Sequence, residues 1–117
     1  FWANDHTFVV AERLTEFLAS APTEKPIYAG SRLYGPCCGV FNSGAAGFAL
    51  NRVAMDALLR HWKESPSTTT TTAAMACDAD DVKKRAHVAT CLRLLFGADG
   101  EPVDSTDADG AERFNVY

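Results

Sequence analysis

The stretch FNSGAAGFAL, Phe41 to Leu50, places two glycines and two alanines between aromatic residues and leads directly into a helix-like pattern. Glycine permits a positive φ and lets a backbone or a ligand approach closely. A loop with such small side chains has two interpretations. It is either a tight turn before a helix or the wall of a binding cleft, and residues elsewhere in the chain have to separate the two.

Composition limits the classes of protein to which the chain can belong. Its 117 residues suit one domain, and the formal net charge of −4 opposes nonspecific binding to nucleic acid or to an anionic membrane surface. No basic stripe with interleaved aromatic residues is present, so we exclude nucleic-acid recognition. No stretch approaches the roughly 18 consecutive apolar residues that a membrane-spanning helix needs.

Two segments in the first half have apolar residues at helical spacing. The first, FVVAERLTEFLAS over 8–20, can be capped by Asp5 or Thr7. The second follows Asn51, a plausible N-cap, and runs to about Trp62. The stripes expected to face the core are Val10, Leu14, Phe17 and Leu18 in the first helix, and Met55, Leu58, Leu59 and Trp62 in the second.

A third helix is predicted from about Val82 to Phe96, with Asp81 as its cap and Gly97 just beyond its end. Strands are predicted at KPIYAGSRL, at 39–41 and at 48–50. ESPSTTTTTAAMA, over 64–76, is of low complexity and is expected to be a mobile surface loop. Strands that alternate with helices predict an α/β fold in a single domain, 1–117.

Four separated segments then resemble, in order, motifs of one family. The family has an acidic D-D-D-T-Y stretch, a P-I-Y-x-G-x-R stretch, an S-G-G-A-G-Y-x-L loop and a late D-S-R-D-T-I-G-K-E-T-F-H-P segment. This chain resembles the C-terminal half of the catalytic domain in the Fringe and core 1 β1,3-galactosyltransferase (glycoprotein-N-acetylgalactosamine 3-β-galactosyltransferase) family of inverting glycosyltransferases. The matching segments are Asn4–Phe8, Pro26–Arg32, Ser43–Leu50 and Asp104–Val116.

The resemblance implies part of a GT-A domain, with a mixed sheet flanked by helices. It also implies transfer of galactose or N-acetylglucosamine from a UDP-sugar to a glycan or glycoprotein acceptor, in β1,3 linkage. The expected setting is the Golgi lumen, in a type II membrane protein whose anchor lies outside this chain, and a homodimer is allowed. On the same grounds, the small-residue loop is the wall of the sugar-nucleotide and acceptor cleft.

Site residues follow from the resemblance position by position. Donor binding falls on Asn4, Asp5, Ser43, Gly44, Ala45 and Gly47, and a Mn²⁺ site falls on Asp5, His6 and Asn115. Asn4 and His6 stand where the family has aspartates, and Asn115 stands where it has histidine, so we expect a weakened metal site. The alternative is that residues 4–6 only cap the next helix.

An inverting transfer also needs a carboxylate base for the acceptor hydroxyl. The family has an E-D pair at the start of a helix that ends in G-x-C. Counting back from Cys91 without a gap gives Lys84 and Arg85, whereas four extra residues give Asp80 and Asp81. We therefore predict Asp81 as the base with Asp80 supporting it; the alternative is that these acids only stabilise a helix N-terminus.

The family often has a disulfide between the segment before this helix and a cysteine within it, which corresponds to Cys77 and Cys91. On their spacing alone, the four cysteines are equally consistent with a disulfide and with reduced thiols. Two other functions stay open as well. The chain can be a catalytically degenerate relative that serves as a chaperone or binding partner of an active transferase, or an unrelated α/β binding module.

Overall fold

Two short antiparallel sheets form the centre of the structure, a computed structural model that describes residues 1–5, 7–36, 39–64 and 87–114. Strand β1 (Tyr28–Gly30) pairs with β4 (Phe48–Leu50), and β2 (Arg32–Gly35) pairs with β3 (Gly39–Asn42). Isolated bridges widen the first sheet, since Trp2 is antiparallel to Phe48 and Val103 is parallel to Ala29. The predicted α/β fold class is confirmed, because the described residues combine helices with two small sheets.

The stretch predicted as one strand over 25–33 is two strands, separated at Ser31. The Ser31 carbonyl accepts a hydrogen bond from the Ser43 amide at 2.7 Å. Because β1 and β2 have different partner strands, the chain leaves one sheet and enters the other at this residue. The predicted strands at 39–41 and 48–50 are confirmed as β3 and β4.

Helices cover both faces of the β1–β4 sheet, because successive side chains of a strand point to opposite faces. On one face Tyr28 and Phe48 meet edge to face at 5.4 Å and pack with helices α2 (Arg52–Glu64) and α3 (His87–Phe96). On the other, Ala29 and Ala49 pack with helix α1 (Ala11–Ser20) and Phe114. The sheet is therefore the middle of three layers.

Helix α2 begins as predicted at Asn51, whose Oδ1 accepts a hydrogen bond from the Ala54 amide at 3.1 Å. Its predicted core stripe is partly wrong. Ala54 and Leu58 are buried, whereas Met55 and Leu59 are 42% and 45% exposed. The buried face is centred on Ala54 and Leu58 because α3 packs there, and an alanine allows the two helices to approach closely.

The predicted cap of α1 is wrong. Val10 is the N-cap and makes no side-chain capping bond, whereas Thr7 and Asn4 bond to each other in a separate turn. Of the predicted stripe, Phe17 is buried and Leu14 partly buried, but Val10 and Leu18 are exposed. One face of this short helix is enough to cover the alanines of the sheet.

Within the described residues α3 covers His87–Phe96, and Ala89 and Leu92 are buried in it. Gly97 follows with a φ of +59°, as predicted, and opens a 3₁₀ turn over Gly97–Gly100. The predicted cap and start of this helix, 81–86, lie outside the described residues. The loop predicted over 64–76 also lies outside the described residues, except for Glu64, which is the last residue of α2. None of the helices described is long and apolar enough to cross a membrane.

Candidate functional site

The first residues of the chain lie along β4. The Trp2 amide donates to the Phe48 carbonyl at 2.8 Å, and the Phe48 amide donates back to the Trp2 carbonyl at 3.0 Å. Their rings stack at 5.1 Å with an angle of 16° between the planes. This pairing holds the following turn, in which the Thr7 amide donates to the Asn4 carbonyl at 3.1 Å, over the small-residue loop.

Two side chains of that turn contact the loop directly. Thr7 Oγ1 lies 2.9 Å from Asn4 Oδ1 and 3.1 Å from the Ala45 carbonyl oxygen, so its single proton serves one of two acceptors at a time. The Asn4 amide nitrogen Nδ2 donates to the Gly44 carbonyl at 3.4 Å. The first and third motifs are thus in contact, although about 40 residues separate them in sequence.

Gly47 shows why this loop has such small side chains. Its φ is +77°, and a Cβ there would lie 2.7 Å from the Phe1 ring, 2.8 Å from the Trp2 carbonyl oxygen and 3.2 Å from the Thr7 methyl group. A larger residue would displace the N-terminal segment. The chain's own N-terminal residues therefore pack against this loop.

The second and fourth motifs also meet. Ser105 is buried, and its hydroxyl donates to the Gly30 carbonyl at 3.1 Å. Arg32 and Asp104 form an ion pair at 3.3 Å between half-exposed side chains. The two motif pairs adjoin at Gly30, where a Cβ would lie 3.1 Å from the Gly47 carbonyl oxygen. All four motifs therefore belong to one contiguous region.

Asn42 lies within this region and was not predicted as a site residue. It is fully buried, and neither Oδ1 nor Nδ2 has a hydrogen-bond partner in the described structure. A buried polar group left unpaired costs about 1–3 kcal/mol, so native proteins rarely keep one without a reason. Its position as the polar residue that opens a small-residue loop was the signal available in the sequence.

The backbone amide of Asn42, in contrast, is paired, because it donates to the Tyr28 hydroxyl oxygen at 3.0 Å. Burial raises the pKa of Tyr28 to about 12, although this hydrogen bond and the charge of Arg93 act in the other direction. Tyr28 is therefore neutral at physiological pH. Its hydroxyl anchors the start of the loop by accepting the hydrogen bond from Asn42.

Two carboxylates of the fourth motif order its own backbone. Hydrogen bonds from the Thr106 amide and hydroxyl, helped by Arg32, lower the pKa of Asp104. Asp107 accepts the Ala111 and Asp109 amides at 2.8 and 3.0 Å, and these bonds lower its pKa as well. Both acids stay ionised and shape turns, which makes them poor proton acceptors at neutral pH.

The residues predicted to hold Mn²⁺ are only partly described. His6 and Asn115 lie outside the described residues, as do the predicted bases Asp80 and Asp81. Asp5 is exposed, and the amide of Asn4 already bonds to Thr7 and Gly44. In the part of the chain that the structure describes, no three His, Cys, Asp or Glu residues are grouped as metal ligands. Asn4 and Asp5 by themselves do not fit a Mn²⁺ site.

Cys91 is fully buried in α3 and is disulfide-bonded. The other three cysteines of the chain, Cys37, Cys38 and Cys77, all lie outside the described residues, so the structure does not identify which of them is the partner. The disulfide expected at Cys91 is thus present, and its pairing with Cys77 stays a prediction.

Comparison with known proteins adds no relative. No protein-family model, no curated protein and no solved structure matches the chain. The resemblance to the Fringe and core 1 β1,3-galactosyltransferase family is therefore carried by the four motifs alone.

Proposed function

We propose that the chain is the C-terminal part of an inverting GT-A glycosyltransferase domain. The reaction would move galactose or N-acetylglucosamine from a UDP-sugar to a glycan or glycoprotein acceptor, with a β1,3 linkage. The observation that carries the proposal is the convergence of the four motifs. Asn4 and Thr7 bond to Gly44 and Ala45, while Ser105 bonds to Gly30 beside them.

In this proposal the turn around Asn4 and Asp5 and the loop 43–47 form one side of the donor site. The bonds between them fix the backbone of both segments, which reduces the entropy lost when a ligand binds.

The proton acceptor is assigned to Asp81, with Asp80 in support, on the sequence alone. Mn²⁺ belongs to the proposal through Asp5, His6 and Asn115, and it would supply charge neutralisation for the leaving diphosphate. The described residues do not by themselves make the Mn²⁺ site.

The disulfide at Cys91 supports an oxidising compartment. The Golgi lumen satisfies this condition. The proposed protein is a type II membrane protein that carries its anchor outside this chain.

Calorimetric titration of UDP into the full-length protein, first with Mn²⁺ and then with EDTA, tests the donor site. We expect binding that needs the metal and that Asp5→Asn weakens at least tenfold. Asp99→Asn is the matched control, because Asp99 is also exposed and lies outside the contacts among the motifs. Equal effects of both substitutions would remove Asp5 from the site.

A transfer assay tests the base separately. We expect Asp81→Asn to abolish UDP-sugar-dependent transfer while UDP binding persists, and Asp78→Asn, in the same acidic run, to retain most of the activity. Full activity in Asp81→Asn would refute the base assignment without affecting the donor site.

A second candidate is a degenerate member that has lost catalysis and assists an active transferase. It is favoured by Asn4, a neutral residue at a family aspartate position, whose amide is engaged in holding the turn. A full-length protein that binds neither UDP nor Mn²⁺ but binds a transferase would support this candidate. Tight metal-dependent UDP binding would count against it.

A further inference from the structure

The loop over 43–47 connects two strands that belong to different sheets. Among the strands that the structure describes, β3 before the loop pairs with β2, and β4 after it pairs with β1. In a hairpin, the hydrogen bonds between the two strands fix both ends of the connecting turn. This loop has no such ladder between its flanking strands, so other contacts determine where its two ends lie.

One side chain, that of Tyr28 in β1, contacts both ends of the loop. Its hydroxyl oxygen accepts a hydrogen bond from the amide of Asn42, the last residue of β3, at 3.0 Å. Its ring meets the ring of Phe48, the first residue of β4, edge to face at 5.4 Å. Tyr28 therefore joins the end of one sheet to the start of the other across the base of the loop.

Burial strengthens this contact and limits how Tyr28 can act. Tyr28 is 1% exposed and Asn42 is fully buried, so water does not replace their hydrogen bond when it is lost. Arg93 of α3 supports the same strand, because its Nη2 donates to the Val40 carbonyl. A ligand on the loop would not touch the Tyr28 side chain, and Tyr28 would affect it only through the loop.

We infer that Tyr28 is a positioning residue for the donor site, because it holds both ends of the loop 43–47 in the arrangement that binds the UDP-sugar. The inference rests on the proposed function, in which this loop is one side of that site. A loop that is ordered before binding loses less conformational entropy when its ligand arrives. Without the Tyr28 hydroxyl, more of that order has to form on binding, and the affinity for UDP falls.

Tyr28→Phe tests the inference, since it removes the hydroxyl and keeps the ring against Phe48. We expect calorimetry of the full-length protein with Mn²⁺ to show UDP binding weakened by about threefold to tenfold. In the transfer assay, the KM for the UDP-sugar should rise by the same factor, while kcat changes less than about twofold. This pattern is typical of a residue that supports binding and not the chemical step.

Asn51→Ala is the matched control for a loss of stability. It also removes a side-chain acceptor from backbone amides, those of Ile27 and Ala54, but Asn51 follows the end of β4 that is remote from the loop. Urea unfolding measures how far each substitution destabilises the protein. We expect Asn51→Ala to change the affinity for UDP less than about twofold. Equal weakening by both substitutions, or unchanged binding in Tyr28→Phe, would overturn the inference.

Amide exchange without ligand follows the loop itself. The Ser43 amide donates to the Ser31 carbonyl at 2.7 Å at the start of the loop, and the Met55 amide donates to the Asn51 carbonyl at 3.0 Å in α2. We expect Tyr28→Phe to speed exchange at Ser43 and to leave Met55 unchanged. Unchanged exchange at Ser43 would contradict the positioning role.

A second pair of variants covers the case in which Tyr28→Phe does not fold, as judged by circular dichroism. Phe48→Leu then takes its place, since it removes the ring contact at the other end of the loop. Trp2→Leu is its control, because it removes the stacking of Trp2 on Phe48 but leaves Phe48 against Tyr28. We expect the larger loss of UDP affinity in Phe48→Leu, and equal losses would overturn the inference.

Failure of the proposed function gives a different result. If the unsubstituted full-length protein binds no UDP, the donor site fails and the positioning role fails with it. If the unsubstituted protein binds UDP and Tyr28→Phe binds it equally well, only the inference about Tyr28 is overturned.

Discussion

Replacement of Gly47 by alanine tests the central contact of the structure, the packing of the N-terminal segment on the small-residue loop. Two costs add at this position. A non-glycine residue at a φ of +77° costs about 1–2 kcal/mol. The new Cβ would also lie 2.8 Å from the Trp2 carbonyl oxygen and 2.7 Å from the Phe1 ring, and overpacking of this kind costs about 1–3 kcal/mol.

Gly110→Ala is the matched control for the backbone cost. Its φ is +81°, and a Cβ there meets no atom within 4 Å. Both substitutions also stiffen the unfolded chain to the same extent, so this contribution cancels in the comparison. We expect Gly47→Ala to lower the free energy of unfolding by about 2–5 kcal/mol and Gly110→Ala by about 1–2 kcal/mol.

Urea unfolding followed by circular dichroism measures both values, and amide exchange of Phe48 reports the local effect. The Phe48 amide donates to the Trp2 carbonyl, so it should exchange faster in Gly47→Ala than in Gly110→Ala. Equal destabilisation and equal exchange would refute the conclusion that the loop is small in order to accept the N-terminal segment.

Three further predictions concern the residues that frame the site. Burial raises the pKa of Tyr28 from 10.0 to about 12, so the free energy of unfolding should fall by about 2–3 kcal/mol as pH rises from 10 to 12. Urea unfolding should show this loss in the native protein and not in Tyr28→Phe. Asn51→Ala leaves two backbone amides without their acceptor and should lower the free energy of unfolding by about 2–4 kcal/mol, whereas Asn51→Asp, which keeps the oxygen, should lower it by less than half as much. Arg93→Lys breaks a two-point contact with Glu101, at 2.6 and 3.0 Å, and should cost about 1–2 kcal/mol in the same assay; an unchanged midpoint would show the pair to be energetically neutral.

Where local chemistry determines the structure, the sequence predicted it well. Asn51 caps α2 and Gly97 ends α3 because a short polar side chain and a residue without Cβ suit those positions wherever the helix packs. The strand at 48–50 follows from three apolar residues between a glycine loop and a cap. None of these predictions needs knowledge of a distant neighbour.

Where tertiary packing decides, the sequence was insufficient. Met55 and Leu59 lie at the same helical spacing as Ala54 and Leu58, and only the position of α3 selects the buried pair. The separation of β1 from β2 at Ser31 likewise depends on which strand pairs with each part. A hydrophobic pattern gives the period of an element but not the direction it faces.

The candidate site shows the same division. The motifs pointed to Asn4, Gly44 and Gly47, and the structure brings them together. Thr7 was predicted only as a helix cap, although it bridges the turn and the loop, and Asn42 was not predicted at all. Contacts between segments about 40 residues apart leave no periodic signal in the sequence, so only the fold reveals them.

Nuclear magnetic resonance of the ¹⁵N-labelled full-length protein, titrated with millimolar UDP and Mn²⁺, tests the proposed function most directly, because it reports binding and its location together. Mn²⁺ is paramagnetic, so we predict that amide signals broaden most in residues 4–7 and 43–47, with Ala45 and Gly47 among the most affected, and that EDTA restores them. Broadening that is absent, or that maps to the outer face of α2 instead, would contradict the assignment of this turn and loop as a donor site.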